Sequence, residues 1–456
     1  MDTEIPQLTR GEAGFDERLA GLLFNELPFD RSPELVRAPR DEQEVVEVVR
    51  AARRDGHRVA VLSGGHSWIG APVRDGGVLV DMSAFERIEI DPESRTARVG
   101  PAVRSGALAK ALAAEGLAFC SGHCGTPAVA GYLLGGGLGL NWGRWKPACF
   151  ALRGIRVVTA AGELVVASED ERRDLLWMAR GAGPTFPGIV TEFEIELQDR
   201  PADTRVSSWL FDFDDLGAVG RWVGEASRGL PATVEVATAA LGPERPEHTP
   251  AEGLPERVVM VAATAYADDE REAREALAPL AAGPGVPILA REELEPIAFE
   301  LLHEAFDAEY PEGHRYLADS FWTERDVEAA LVLLRDAFIR APSGKSNVMA
   351  LMPGNGERLG LSLEHGAYSM DERTLVMPYA VWQDPASDSE NRAWIGEMSA
   401  LLEPISSGHF VSEADLQAHP GRLARSFAPA NWERLQELRA EWDPDGIFQS
   451  PPGAVA

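Results

Sequence analysis

A chain of 456 residues is too long for one hydrophobic core and predicts two or more domains. Its 73 acidic and 43 basic residues give a net charge of −30, which argues against nucleic acid or an anionic membrane as a partner, because both need a basic face. The N-terminus has no signal-peptide pattern, no apolar run approaches the roughly 18 residues of a membrane span, and three cysteines are too few for a disulfide framework. We therefore expect a cytoplasmic protein, and the sequence leaves its oligomeric state open.

Residues 1–40 are a mixed lead-in, and short helices and strands alternate from residue 41 to residue 116. Asp41 is a predicted N-cap with Glu44 three residues later, as in a capping box, and Gly56 ends the helix. Ser105 is the predicted cap of a second helix, which runs to Gly116. Predicted strands cover residues 58–62, 77–81 and 96–99. This alternation indicates an α+β or α/β domain.

A glycine-rich segment, residues 117–147, precedes a predicted hairpin and a further strand. The hairpin strands are residues 155–159 and 163–166, joined by a turn that contains Gly162, and residues 189–197 alternate like a strand. Residues 174–183 begin as a helix and end in glycines. A domain boundary is predicted near residues 199–202.

The remaining residues predict a second α+β unit and a C-terminal helix. Strands are expected at 257–267 and 375–382, helices at 268–282 and 324–339, and polar loops at 242–256 and 383–390. After Pro429, one helix face carries Trp432, Leu435, Leu438 and Trp442.

Two glycine-rich stretches carry residues that suit a bound ligand. The first, Ser63-Gly64-Gly65-His66-Ser67, follows a predicted strand, and its glycines permit close approach of a ligand to the backbone, although a plain turn with a surface histidine also fits. The second contains Cys124 and the run Gly135-Gly136-Gly137, which also fits a tight buried crossing. Cys120, His123 and Cys124 lack a second ligand cluster at a familiar spacing, so we expect no metal site.

Together these stretches resemble the FAD-linked oxidases of the berberine bridge enzyme type, within the vanillyl-alcohol oxidase/p-cresol methylhydroxylase (PCMH) superfamily. The resemblance is nearly continuous over residues 30–200, patchy over 200–400 and clear again over 408–450. In that family the histidine of the Ser-Gly-Gly-His-Ser segment is bonded to the flavin 8α-methyl carbon, and a downstream cysteine is bonded to carbon 6. The resemblance places these attachments on His66 and Cys124.

The resemblance implies an α+β, two-domain FAD-binding fold of the PCMH type. The FAD domain would be residues 1–200, with residues 408–456 folding back onto it as in the family, where a strand precedes a closing helix. The substrate domain, residues 201–407, would be an antiparallel sheet with helices on one face. The residues that the resemblance implies at the cofactor are Ser63, Gly64, Gly65, His66, Ser67, Cys124, Gly125, Thr126, Val129, Gly131, Gly135, Gly136, Gly137, Val190, Phe410 and Ser412.

The implied activity is oxidation of a small molecule by hydride transfer to FAD, with reoxidation by molecular oxygen. An alcohol, a sugar or a secondary metabolite is the expected substrate. The alternatives are a flavin-dependent oxygenase or dehydrogenase that tailors natural products, and a non-catalytic flavin-binding scaffold.

Several positions depart from the family pattern. Leu62 stands where the family commonly has arginine, Pro127 and Ala128 replace Val-Gly, and Phe410 and Ser412 replace the tyrosine and asparagine of a C-terminal strand. In some members of the family that tyrosine helps to deprotonate a substrate hydroxyl. Phenylalanine cannot accept a proton, so the base must come from elsewhere or be absent. Tyr316 is the first choice and Glu413 the second. The other candidates are Glu364, His365, Tyr379 and His409.

Overall fold

The structure, a computed structural model, describes residues 5–244, 253–352, 359–361 and 364–450. Its first sheet is formed by β1 (Gln7–Thr9), β2 (Leu35–Arg37), β3 (Val59–Leu62) and β4 (Val78–Asp81), in the order β1-β2-β4-β3. β2 and β3 both run parallel to β4. A second, antiparallel sheet is formed by β5 (Ile88–Asp91), β6 (Thr96–Val99), β8 (Leu152–Thr159), β9 (Leu164–Ser168) and β10 (Gly188–Glu196). The short strands β7 (Leu117–Ala118) and β11 (Gln198–Asp199) pair with each other.

Helices surround these sheets. In chain order they are α1 (Phe15–Ala20), α2 (Glu42–Asp55), α3 (Ser105–Ala113), α4 (Val129–Leu134), α5 (Trp142–Trp145) and α6 (Arg173–Ala179). The prediction for α2 is confirmed at both ends, because the Asp41 carboxylate accepts the N–H of Glu44 at 2.9 Å and Gly56 is left-handed at φ 74°. The Glu44 carboxylate, however, accepts the N–H of Arg40 rather than that of Asp41.

The elements above, from residue 7 to residue 199, are called the first unit, and an eight-stranded antiparallel sheet dominates the second unit, residues 203–402. Its strands are β12 (Asp203–Asp212), β13 (Val234–Leu241), β14 (Val258–Ala267), β15 (Ala290–Pro296), β16 (Arg315–Ala318), β17 (Phe321–Thr323), β18 (Asn347–Met352) and β19 (Thr374–Trp382). The order is β15-β12-β14-β13-β18-β19-β16, with β17 also paired to β19. The accompanying helices are α7 (Leu216–Ala226), α8 (Glu270–Ala276), α9 (Leu302–Glu309), α10 (Val327–Ile339) and α11 (Asp388–Leu402).

The two faces of this sheet belong to different cores. On β18, Val348 and Ala350 pack with α7, α10 and α11, whereas Met349 and Leu351 pack toward the first unit. β19 alternates in the same way, with Met377 and Tyr379 on the face toward the first unit. Period-two alternation follows from strand geometry, and the predicted fold class, with helices on one sheet face, is confirmed.

The C-terminal segment contacts the first unit through α12 (Arg422–Arg425) and α13 (Pro429–Trp442). The indole Nε1 of Trp442 donates to an Asp174 carboxylate oxygen at 2.7 Å. The N–H of Val59 on β3 donates to the carbonyl of Ile447 at 2.7 Å, and the N–H of Gln449 donates to the carbonyl of Val59 at 2.9 Å. Within the described ranges, no helix is both long enough and apolar enough to cross a membrane.

Several local predictions were wrong. Ser105 is the first residue of α3 rather than its cap, and its hydroxyl has no hydrogen-bond partner. The segment 408–414 forms one bridge to Trp322 and then a turn, because the N–H groups of Glu413 and Ala414 both donate to the carbonyl of Phe410. α11 begins inside the predicted loop 383–390, α8 ends at Ala276 rather than 282, and residues 245–252 of the loop 242–256 lie outside the described residues.

Candidate active site

The turn after β3 places His66 at the carboxyl end of a parallel strand pair. Gly65 is left-handed at φ 71°, and a Cβ there would collide with the backbone of Leu22, so glycine is required. The His66 ring stacks on Phe24 with ring centroids 4.1 Å apart. Burial, and then the positive charge of Arg104, lower the pKa of His66 to about 3. The imidazole is therefore neutral at neutral pH and keeps a free lone pair.

Cys124 lies in the loop between β7 and α4. The next residue, Gly125, donates its N–H to the Asp307 carboxylate at 2.9 Å, which ties this loop to α9. Burial, followed by the negative charges of Asp307, Glu413 and Glu309, raises the pKa of the Cys124 thiol well above its usual value. The thiol is therefore protonated at neutral pH.

His66 and Cys124 line the same cavity, which has a volume of about 410 Å³. This volume lies within the usual range of small-molecule sites. The other expected cofactor residues on its wall are Ser63, Gly64, Gly65, Ser67, Thr126, Gly131, Val190, Phe410 and Ser412.

Five of the expected cofactor residues do not line this cavity: Gly125, Val129, Gly135, Gly136 and Gly137. Gly125 lines a neighbouring open groove instead. The glycine run permits close packing, since the space for a Cβ on Gly135 is occupied by the Ser412 hydroxyl. These glycines thus shape the protein behind the cavity wall.

Tyr316 is poorly placed for the role of base. Its side chain is fully buried, its ring packs against Trp68 at 4.9 Å and Phe24 at 5.6 Å, and its hydroxyl donates to the carbonyl of Pro311. It does not line the cavity, and burial raises the pKa of its hydroxyl far above the usual value. The structure therefore argues against Tyr316 as the base.

Glu413 does line the cavity, and the hydroxyl of Tyr379 donates to its carboxylate at 2.5 Å. Burial raises the pKa of Glu413, while hydrogen bonds from Tyr379 and Trp68 and the nearby His123 oppose that rise. Tyr310 packs on Tyr379 with ring centroids 5.0 Å apart and lines the same cavity. Glu413 thus combines access to the cavity with a pKa moved toward neutrality, as a general base requires.

Of the other base candidates, Tyr379 lines the cavity, whereas Glu364, His365 and His409 do not. Glu364 and His365 are exposed. His409 is fully buried, its Nδ1 lies 2.8 Å from the carbonyl of Ser320, and burial lowers its pKa to about 4. Phe410 does line the cavity.

Sequence reasoning missed Trp68, Tyr310 and Arg74, all of which line the cavity. Tyr310 directly follows the last residue of α9, where no local pattern distinguishes it from a core tyrosine. Arg74 did carry a signal, namely a charged residue that closes the apolar run from Ile69 to Val73.

The residues of this cavity fit FAD. Two buried polar atoms of residues on its wall, Arg74 Nε and Gln449 Oε1, have no hydrogen-bond partner, which indicates a polar ligand. A Cβ on Gly64 would lie 2.6 Å from the Cβ of Ala128, so a side chain does not fit there and the Gly64 backbone forms that part of the wall.

Comparison with known proteins identifies the cofactor. The FAD binding domain family matches residues 33–168. The FAD-linked oxidoreductase janO of Penicillium janthinellum is 28% identical over 445 residues, which cover 97% of this chain and 96% of the relative. The chain is therefore similar to FAD-linked oxidoreductases over almost its whole length. A second relative of this oxidoreductase, (R)-6-hydroxynicotine oxidase of Paenarthrobacter nicotinovorans, is 37% identical over 169 residues, 37% of each chain.

Solved structures share the fold. The 6-hydroxy-D-nicotine oxidase of Arthrobacter nicotinovorans superposes with a TM-score of 0.84 at 22% identity, over 100% of this chain and 99% of that chain. The berberine bridge enzyme-like protein 1 of Physcomitrella patens gives a TM-score of 0.83 at 18% identity, over 99% and 97% of the two chains. The resemblance to berberine bridge enzyme-like flavoproteins is therefore confirmed, and the oxidoreductase has the PCMH-type fold.

Proposed function

We propose that this FAD-dependent oxidoreductase oxidises an alcohol, a sugar or a secondary metabolite while FAD is bonded to His66 and to Cys124. The observation that carries this proposal is that both side chains, from separate segments, line one cavity together with Glu413 and Tyr379. When bound, FAD supplies a hydride acceptor that molecular oxygen can reoxidise. A cytoplasmic location stays a prediction.

The two attachment residues differ in whether the side chain must lose a proton before it can bond to the flavin. His66 is neutral, so its lone pair is available without loss of a proton. Cys124 must first lose the thiol proton, which its buried and acidic surroundings oppose. We therefore infer that attachment through His66 precedes attachment through Cys124.

Glu413 is the proposed base, in place of Tyr316. Its carboxylate would take the hydroxyl or amine proton of the substrate, and the Tyr379 hydroxyl orients it by donating to one oxygen. Met349 and Met377 form part of the adjacent wall, and their flexible apolar side chains suit a partly apolar substrate.

We also propose that residues 201–407 determine substrate specificity, whereas residues 1–200 and 408–456 hold the cofactor. The support is that β18 and β19 contribute Met349, Met377 and Tyr379 to the cavity, while the glycine-rich turns come from the first segment.

The test of attachment is the intact mass of the denatured protein. The parent should exceed the apoprotein mass by one FAD, and the yellow colour should stay with the acid precipitate. Single replacements, His66→Ala or Cys124→Ala, should each leave one bond, and the double replacement should release the cofactor. Complete release of flavin from the parent on acid precipitation would refute covalent attachment.

A further inference from the structure

Arg74 is a buried cation without an anionic partner. Only 8% of its surface is exposed, its Nε has no hydrogen-bond partner, and it lines the cofactor cavity. Within the described part of the chain, no ion pair involves Arg74, and the neighbouring carboxylate of Asp75 instead accepts the N–H of Ser32 at 3.1 Å. Burial, and then the positive charge of Arg31, lower the pKa of Arg74 to about 9.

An isolated buried charge is costly unless something pairs with it. The positive charge of the nearby Arg31 guanidinium adds to this cost by repelling that of Arg74. Two nitrogens of Arg31, Nε and Nη1, are also buried without hydrogen-bond partners. Among the residues that the structure describes, no group forms an ion pair with Arg74. A ligand with negative charge in the cavity would do so.

The cavity offers no other permanent cation on its described wall. Arg74 is the single arginine or lysine among the described residues that line it. His66 is neutral, and His123 contacts the Glu235 carboxylate.

We propose that Arg74 is the counter-ion of the FAD pyrophosphate in this oxidoreductase. The pyrophosphate carries two negative charges, and a guanidinium can donate two parallel hydrogen bonds to phosphate oxygens. Arg74 thereby acts in cofactor binding rather than in the oxidation step. The proposal rests on FAD binding but not on covalent attachment, and its test separates the two.

The test uses the full-length chain with His66→Ala and Cys124→Ala, freed of flavin, and measures binding of ADP and of adenosine by calorimetry. ADP carries the pyrophosphate, and adenosine lacks it. Adding Arg74→Met should weaken ADP binding by about 10- to 100-fold, the value of a charge-assisted hydrogen bond, and should leave adenosine binding unchanged. Arg31→Met is the matched control, because Arg31 is a nearby, half-buried arginine that does not line this cavity.

Thermal unfolding of the flavin-free chain gives an independent readout. Methionine replaces an unpaired buried charge with an apolar chain of similar length, so Arg74→Met should melt no lower than its parent. If it fails to fold, Arg74→Lys keeps the charge and should retain part of the preference for ADP over adenosine. Equal weakening of ADP and adenosine binding, an unchanged preference in the methionine or lysine variant, or an equal loss in Arg31→Met would overturn the proposal.

Discussion

Replacing Glu413 with glutamine tests the proposed base directly. Glutamine keeps the shape of the side chain and its amide oxygen still accepts the Tyr379 hydroxyl, so what is removed is the capacity to take a proton. A positioned general base contributes about 10²- to 10⁴-fold. We therefore expect Glu413→Gln to slow flavin reduction by that factor while flavin content stays at the parent level.

The pH dependence of the reduction rate tests which protonation state of Glu413 is active. The ionised carboxylate is the active form, so the parent rate should rise with pH through the pKa of Glu413, which burial raises above its usual value. The hydrogen bond from Tyr379 lowers that pKa. Tyr379→Phe should therefore raise the pKa of Glu413 further and move the rise in rate to higher pH.

The assay is anaerobic stopped-flow mixing, with flavin absorbance recorded for the fastest-reducing compound of a panel of alcohols, amines and sugars. Tyr316→Phe is the control, because its hydroxyl points to the Pro311 carbonyl and its rate should match the parent. A Glu413→Gln variant as fast as the parent at every pH would refute Glu413 as the base. A shift to lower pH in Tyr379→Phe would contradict the assigned hydrogen bond.

Three further outcomes are expected. The fraction of chains with a flavin bond through Cys124 should rise between pH 7 and pH 10, because the raised pKa of the thiol leaves little thiolate at neutral pH. Peptide mass spectrometry measures this fraction, and a fraction that stays constant with pH would contradict the prediction. Phe410→Tyr should leave the reduction rate of simple alcohols unchanged, and a large gain in stopped-flow assays would show that the missing hydroxyl limits the parent. Asp319→Asn should lower the free energy of unfolding by about 3 kcal/mol in denaturant titration, because it breaks a buried ion pair with Arg422. Glu403 remains as a second partner of Arg422, which keeps the loss near this value, and an unchanged free energy of unfolding would contradict the prediction.

The features that the sequence predicted well depend on local signals. The two ends of α2 follow from single residues. The Asp41 side chain caps the first turn, and Gly56 adopts the left-handed backbone conformation that ends the helix. The hairpin of β8 and β9 likewise follows from a short turn with Gly162 between two apolar runs. These signals act over a few residues, so no knowledge of the distant chain is needed.

The errors come from contacts between distant segments. The segment 408–414 turns because the hydroxyl of Ser320 bonds both to the N–H and to the carbonyl of Phe410, 90 residues away. Tyr316 was the first choice for the base, but Trp68 and Phe24, from a distant part of the chain, cover its ring. Every residue of β19 is buried, so its sequence lacks the polar alternation that would show which side chains face the cavity.

Under the proposed assignment of substrate specificity to residues 201–407, the two faces of the sheet have a consequence for how the enzyme changes its substrate during evolution. Because odd and even positions of β18 and β19 serve different cores, a substitution at Met349 or Met377 reshapes the cavity while Val348 and Ala350 continue to hold the helices. Selection on the substrate and selection on stability then act on interleaved but separate sets of positions. A lineage with this sheet can explore new substrates by changing alternate residues of two strands, with the cofactor turns and the helical layer left as they are.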